Sequence, residues 1–217
     1  MMTTELAQLV SIPSDHVHIE GMLELPENAP GIVLFAHGSG SSRHSPRNNY
    51  VASVLREAGI GTLLMDLLTP EEDMVYETRF DIPLLTRRLL DATDWISQQQ
   101  STRNLPIGYF GASTGAAAAL QAAAQSTHKI AAVVSRGGRP DLAGAAMLRK
   151  VRAPTLLLVG GFDDLVIDLN QASHDVMSCP KELSIIPGAT HLFEEPGALE
   201  QVAHRATAWF KRYLKAD

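Results

Sequence analysis

A single cysteine, Cys179, is all the thiol chemistry in this 217-residue chain, so no disulfide can form within one copy. Long apolar runs are missing too. The longest candidate, Gly115 to Ala124, is alanine interrupted by Gln121, and it falls short of the roughly 18 strongly apolar residues of a membrane span. No basic run exceeds two residues, and Lys plus Arg total 18 against 24 for Asp plus Glu, a formal charge of −6. A chain without concentrated cations has no obvious grip on a phosphate backbone, which excludes nucleic acid as an expected partner. The stretch Met1 to Asp15 meets Glu5 before any basic residue and carries no positive segment followed by an apolar core. No secretory leader is therefore expected, no membrane partner, and a cytoplasmic location is. Repeats, Pro/Gly-rich linkers and biased tracts beyond Gln98 to Gln100 are absent as well.

What is present describes an ordinary globular chain: 45% apolar and 19% charged residues. Its length fits one domain over residues 1–217, large enough to bury roughly 70% of the surface that the unfolded chain exposes without a staple. Short apolar runs alternate with amphipathic stretches, which predicts an α/β fold with a mostly parallel sheet and helices on both faces. His16 to Ile19 and Met22 to Leu25 flank Gly21 and read as an opening hairpin at the sheet edge, stopped by Pro26. Ile32 to Ala36, Gly61 to Met65, Ile107 to Phe110, Ile130 to Ser135, Thr155 to Val159 and Leu183 to Ile186 are nearly continuous apolar runs, as strands covered on both faces require. Helices are predicted over Asn49 to Ala58, Asp81 to Gln99, Gly115 to Ser126, Leu165 to Met177 and Ala198 to Leu214. The acidic stretch Glu71, Glu72, Asp73 reads as a solvated loop.

Chemistry is suggested by Gly111-Ala112-Ser113-Thr114-Gly115, which stands between a strand and an alanine-rich helix. A serine held on a strained turn brings neighbouring backbone too close for side chains, and glycine at both flanking positions removes the clash. Ala116 to Ala119 then let the helix lie against the sheet. The bland reading is a glycine-flanked turn whose serine caps the helix. A serine hydroxyl is a poor nucleophile alone, so the functional reading needs a base and a group that orients it.

Among eight histidines, His191 is favoured because it follows the last strand through Pro187-Gly188-Ala189. His37, at the end of a strand on the same edge, is its rival for a place in the site, with a structural role holding its loop as the alternative. His128, His174 and His204 fall in or beside helices, and His16 and His18 lie in the opening hairpin, remote from that edge. For the orienting acid, Gly160-Gly161-Phe162-Asp163-Asp164 offers two carboxylates. Asp163 is favoured, Asp164 fits the helix N-cap, and Asp66 is held in reserve, or bonded to loop amides. Ser113, Asp163 and His191 then lie on loops at the strands' carboxyl edge, where ligands collect in open α/β sheets.

Oxyanion donors are expected from the amides of Thr114 and of Ser39 in His37-Gly38-Ser39-Gly40, with Gly40 as the reserve for Ser39. The same loop could be read as a dinucleotide site with Asp66 on the ribose, but Arg43 stands where the third glycine is needed. No P-loop, zinc-spacing or calcium-loop motif is present, and the reading calls for no cofactor and no metal. Arg43, His44, Arg47, Arg136 and Arg139 fall on loops after strands, either recognising an anionic group on a small ester substrate or anchoring the loops by salt bridges. Nothing in the sequence bears on oligomeric state.

With His37-Gly38-Ser39-Gly40, the turn Gly111 to Gly115, Gly160-Gly161-Phe162-Asp163 with Val166, and Gly188-Ala189-Thr190-His191 in view, the chain resembles the α/β-hydrolase family, and within it the small dienelactone-hydrolase-like group. The resemblance covers nearly the whole chain. It implies Ser113 as nucleophile, Asp163 as acid, His191 as base and the Ser39 and Thr114 amides as the oxyanion hole. Dienelactone hydrolases proper carry a cysteine where this chain has Ser113, which points toward a general carboxylic ester or thioester hydrolase. Only about fifteen residues lie between Gly138 and Ala153, where many relatives insert a helical lid, so the resemblance implies an open site. A binding module that holds a small ligand on the same scaffold without turnover is the alternative.

Overall fold

In the computed structural model, which describes residues 4–215, the chain opens with a long hairpin of β1 (Thr4–Ser14) and β2 (Val17–Pro26). The reversal falls at Asp15 and His16, with Asp15 at φ +50°, so the two runs expected to flank a turn at Gly21 are a single strand. Gly21 has a different reason to be small: a Cβ there would stand 2.9 Å from Leu63 of the neighbouring strand. Residues 1–3, part of the stretch read for a leader, lie outside the described residues.

Six further strands follow the predicted apolar runs: β3 (Ile32–Ala36), β4 (Gly61–Met65), β5 (Ile107–Ala112), β6 (Ile130–Arg136), β7 (Thr155–Gly160) and β8 (Lys181–Ile186). The sheet order is β1-β2-β4-β3-β5-β6-β7-β8, antiparallel through β2/β4 and parallel from β4 onward. Because β2 runs against β4, its start and the hairpin turn lie at the carboxyl end of β4. His16 and His18 are thus on the carboxyl rim at its far flank, a correction to their expected remoteness.

Both faces of the sheet are covered. Helices α1 (Pro46–Glu57) and α7 (Ala198–Tyr213) close one face over Phe35, Phe110, Val134 and Leu158. On the other, α3 (Ile82–Gln98) and α4 (Thr114–Gln125) pack over Leu34, Leu63 and Tyr109, and α6 (Asp164–Val176) ends on the same cluster through Val176 and Met177. The predicted helices sit within about three residues of these bounds. Small residues set the layer spacing. Ala116 to Ala119 are fully buried, and a Cβ on Gly108 would stand 2.8 Å from the Phe210 ring of α7. No helix among the described residues is long and apolar enough to cross a membrane.

The acidic stretch is not a free loop. Pro70–Asp73 forms a one-turn helix, α2, closed by a capping box in which Thr69 and Glu72 exchange side-chain and backbone bonds. Glu72 also meets Arg88 of α3 at 2.6 Å, and that guanidinium is buried and bonded to Ser14 of β1. The segment is tied to α3 by an ion pair that the charge run alone does not reveal. Between Gly138 and Ala153 the chain makes a 3-10 turn (Pro140–Ala143) and a one-turn helix, α5 (Ala145–Leu148), with no lid inserted.

Truncation of the fully buried Phe210 to alanine should lower the unfolding free energy in urea by about 3–5 kcal/mol, through lost burial and the cavity beside Gly108. Leu9→Ala, on an edge strand with half its surface exposed, should cost less than about 0.5 kcal/mol.

Candidate active site

The chain order reverses direction across the sheet between β3 and β5: β4 lies to one side of β3, while β5 and all later strands lie to the other. Loops leaving β3 and β5 at their carboxyl ends therefore part around a crevice. The β5 loop is a single residue. Ser113 has φ +51° and ψ −120°, a conformation that non-glycine residues rarely adopt, between the last residue of β5 and the first of α4. Its flanks explain how the turn closes. A Cβ at Gly111 would lie 2.5 Å from Ala116 Cα, and one at Gly115 only 2.2 Å from the Ala36 carbonyl oxygen. Ser113 makes no side-chain cap to α4, so the capping reading of this serine is set aside.

The β3 loop approaches the same residue. A Cβ on Gly38 would sit 3.1 Å from Ser113 Cβ, and Ser39 and Ser41 line the cleft beside it. His37 holds this loop from beneath. Its Nδ1 donates to the Gly38 carbonyl at 2.8 Å, and its Nε2 accepts from the Leu67 amide at 2.9 Å. Both ring nitrogens are engaged and the side chain is buried, so His37 does not line the cleft, and the expected substrate contact from it is corrected to a structural one. Gly40, at φ +65°, turns the loop and does not line the cleft either. Thr114 opens α4, so its amide has no partner within the helix.

His191 comes from the opposite flank. The chain leaving β8 crosses the ends of β7 and β6 to reach the crevice, and glycines let it pass: a Cβ at Gly160 would meet the Ala189 oxygen at 2.4 Å, one at Gly137 the His191 oxygen at 3.2 Å. The Phe162 amide donates to the Ala189 carbonyl at 3.0 Å and the Gly161 amide to Ile186 at 2.9 Å. Glu195 grips Thr190 through its amide and hydroxyl, and those bonds hold its carboxyl below the usual carboxylate range. Phe193, buried at φ +57°, anchors the loop's far end.

His191 Nδ1 lies 2.6 Å from Asp163 Oδ2. Asp163 occupies the N-cap position of α6 without capping it, because its carboxylate is turned to the imidazole. Asp164, expected as that cap, is the first residue of the helix and is exposed. Asp66 is elsewhere: it accepts from the Arg43 amide at 2.8 Å and pairs with the Arg43 guanidinium. With Nδ1 facing a carboxylate, Nε2 is the nitrogen left for another partner, and Ser113 and His191 line one cleft of about 220 Å³.

The arginines divide. Arg43 is paired with Glu20 at 2.6 Å and with Asp66, and Arg139 with Asp141 at 2.8 Å, so these two anchor loops and the substrate contact expected of Arg43 is corrected. His44 is exposed outside the cleft. Arg47 and Arg136 line the cleft with Ser45 and Asn48, residues that the motifs alone did not single out. Among the described residues no group of three or more His, Cys, Asp or Glu is placed to hold a metal. A larger groove of about 1100 Å³ lies at the amino ends of β5 to β7, around Arg103, Lys129, Arg152 and Arg212, away from these residues.

Comparison with known proteins agrees with this geometry. A family model described as alpha/beta hydrolase fold matches residues 31–175. The crystal structure of a dienelactone hydrolase from Anabaena variabilis is 54% identical with a TM-score of 0.94, covering 97% of this chain and 99% of that one. Est1E from Butyrivibrio proteoclasticus has a TM-score of 0.80 at 16% identity, over 94% of this chain and 98% of that one, a likeness of fold alone. A Mycobacterium tuberculosis protein carrying a provisional phosphoribosyl transferase name is 58% identical over 205 residues, 94% of this chain and 46% of its own length. The chain spans about half the length of the curated relatives it matches.

Burial outweighs the Gly38 bond and pulls the His37 pKa below its ordinary 6.5, so His37 is neutral in the fold. Its contribution to stability is whole above pH 6.5 and is lost as pH falls below that value toward the lowered folded one. Urea midpoints should therefore decline as pH is lowered through this range, and His37→Asn should flatten that part of the profile. Gly115→Ala, forcing a Cβ against the Ala36 oxygen, should destabilise the fold by more than about 2 kcal/mol.

Proposed function

Since the chain belongs to the α/β-hydrolase family and is dienelactone-hydrolase-like within it, we propose that it is a serine hydrolase cleaving a carboxylic ester, thioester or lactone through an acyl-enzyme on Ser113. The observation that carries this reading is the short Asp163–His191 contact, facing the cleft that holds a serine on a strained turn.

The chemistry follows from proton positions. Asp163 keeps the proton of His191 on Nδ1 and leaves Nε2 as the acceptor. As the Ser113 oxygen bonds the substrate carbonyl carbon, its proton passes to Nε2, and the carbonyl oxygen becomes an oxyanion facing the Ser39 and Thr114 amides. Collapse breaks the bond to the leaving oxygen or sulfur, which takes that proton from His191. Water then attacks the acyl carbon while giving a proton to Nε2, and collapse returns the proton to Ser113 and releases the acid. One imidazole serves both halves, as acid and as base. Cysteine at this position would be the stronger nucleophile unaided; serine depends on the base more heavily.

The transferase name belongs to proteins about twice the length of this chain, and a serine–imidazole–carboxylate set suits acyl transfer to water better than displacement of a diphosphate. A non-catalytic binding role on the same scaffold would leave the Asp163–His191 pair without a task.

A fluorophosphonate probe should add its mass to the peptide containing Ser113 and not to the Ser113→Ala protein. Against short acyl esters, thioesters and lactones, His191→Ala should lose roughly 10⁴-fold or more in kcat, in acylation and deacylation alike. Tight ligand binding with no turnover across those substrates would favour the binding module.

A further inference from the structure

Two guanidinium groups that line the cleft each keep a buried nitrogen without a partner, and one of them, Arg136, has no counter-charge among the described residues. Arg136 ends β6 opposite Ala112 in register, and its carbonyl accepts from the Ser113 amide at 3.2 Å. Its side chain is 7% exposed, lies over the Phe193 ring at 5.9 Å and donates to Asn48 Oδ1 at 3.3 Å, while Nε is buried without a partner. No carboxylate among the described residues reaches it. Arg47, in the first turn of α1, holds Glu194 at 3.0 Å on its exposed side, but its own Nε is also buried and unpartnered.

These placements are unfavourable for the fold alone. An unpaired buried cation retains its desolvation cost, and burial together with the charge of Arg47 pulls the Arg136 pKa down to about 10. The first turn of α1 carries Arg47 and no acidic residue, against the preference of a helix N-terminus for negative charge. Two guanidinium groups and a helix N-terminus around a cleft of about 220 Å³ would all be relieved by one small anion.

We infer that Arg47 and Arg136, with the first turn of α1, form a subsite for an anionic group on the substrate, a carboxylate or a phosphate, beside Ser113. This rests on the reading of Ser113 as nucleophile, and it makes Arg136 and Arg47 the residues that set specificity. The cleft volume limits the anionic arm to a short one. Arg43 and Arg139, held by carboxylates and outside the lining of the cleft, take no part.

The test uses ester pairs that differ only in charge: 4-nitrophenyl hemisuccinate against 4-nitrophenyl pentanoate, for an anion on the acyl arm, and 4-acetoxybenzoate against its methyl ester, for one on the alcohol arm. At least one charged ester should be preferred by roughly 10- to 100-fold in kcat/KM, mostly through KM. Arg47→Gln and Arg136→Gln should each erase most of that preference, read as the charged-to-neutral ratio of kcat/KM within each pair; Arg47 lies near the surface, so its variant serves if Arg136→Gln fails to fold. Equal rates on both pairs, in protein whose Ser113 is labelled by fluorophosphonate, would overturn the subsite and leave the hydrolase reading standing. If Ser113 is unlabelled and no ester is cleaved, the hydrolase reading fails, and the subsite is judged by melting temperature alone. Millimolar succinate or inorganic phosphate should raise Tm of Ser113→Ala and not of Ser113→Ala/Arg47→Gln. The stronger of the two identifies carboxylate or phosphate, and no shift with either rejects the site.

Discussion

The turn at Ser113 closes only because no side chain stands at positions 111 and 115. With Gly115 against the Ala36 carbonyl and Gly111 against the backbone of α4, the helix starts one residue after β5 ends, and the intervening serine takes positive φ. Such strain costs of order 1–3 kcal/mol and persists only where its surroundings leave no alternative. Here they include the fully buried alanine run of α4, the Gly38 loop packed so near that a Cβ on Gly38 would stand 3.1 Å from Ser113 Cβ, and the bond from the Ser113 amide to the end of β6. The hydroxyl is thereby held at the crevice by backbone, with no side-chain bond needed to aim it.

Convergence of the remaining groups is a matter of glycine as well. His191 belongs to the loop after the outermost strand, three strands from β5, and reaches the crevice because Gly160 and Gly137 leave room for the crossing chain. Asp163 meets it from β7, at the cap position where an aspartate would ordinarily bond the helix amides. Spending that carboxylate on the imidazole leaves the amino end of α6 uncapped by a side chain, a local loss accepted where the site requires it.

Much of this was legible in the residues. Apolar runs located six parallel strands, five because burial on both faces demands continuous hydrophobicity, while β8, expected to be buried likewise, lies at the sheet edge with Glu182 and Ile185 exposed; the glycine-flanked serine located the turn because sterics there are severe. The hairpin turn lies away from its expected place for a physical reason: Gly21 reads as a turn residue, but it is small to admit Leu63, while the reversal uses Asp15, a residue that tolerates positive φ. The one-turn helix at Pro70–Asp73 was hidden behind its charges. Its capping box, Thr69 with Glu72, was present as a signal, but the bond from Glu72 to Arg88 is tertiary and has no local trace. The arginines show the same limit. Five basic residues on two loops look alike in sequence, and only their placement in space separates Arg43 and Arg139, anchored outside the cleft, from Arg47 and Arg136, which line it.

The central claim is that Ser113, His191 and the Ser39 and Thr114 amides act on one carbonyl carbon. A crystal structure with a small alkylboronic acid tests it most directly, since boron imitates the tetrahedral intermediate. The account predicts a bond from Ser113 Oγ to boron, one boronate oxygen about 2.7–3.1 Å from both amides, and another facing His191 Nε2. Boron bound elsewhere, or an unmodified Ser113 with His191 turned from the cleft, would contradict it.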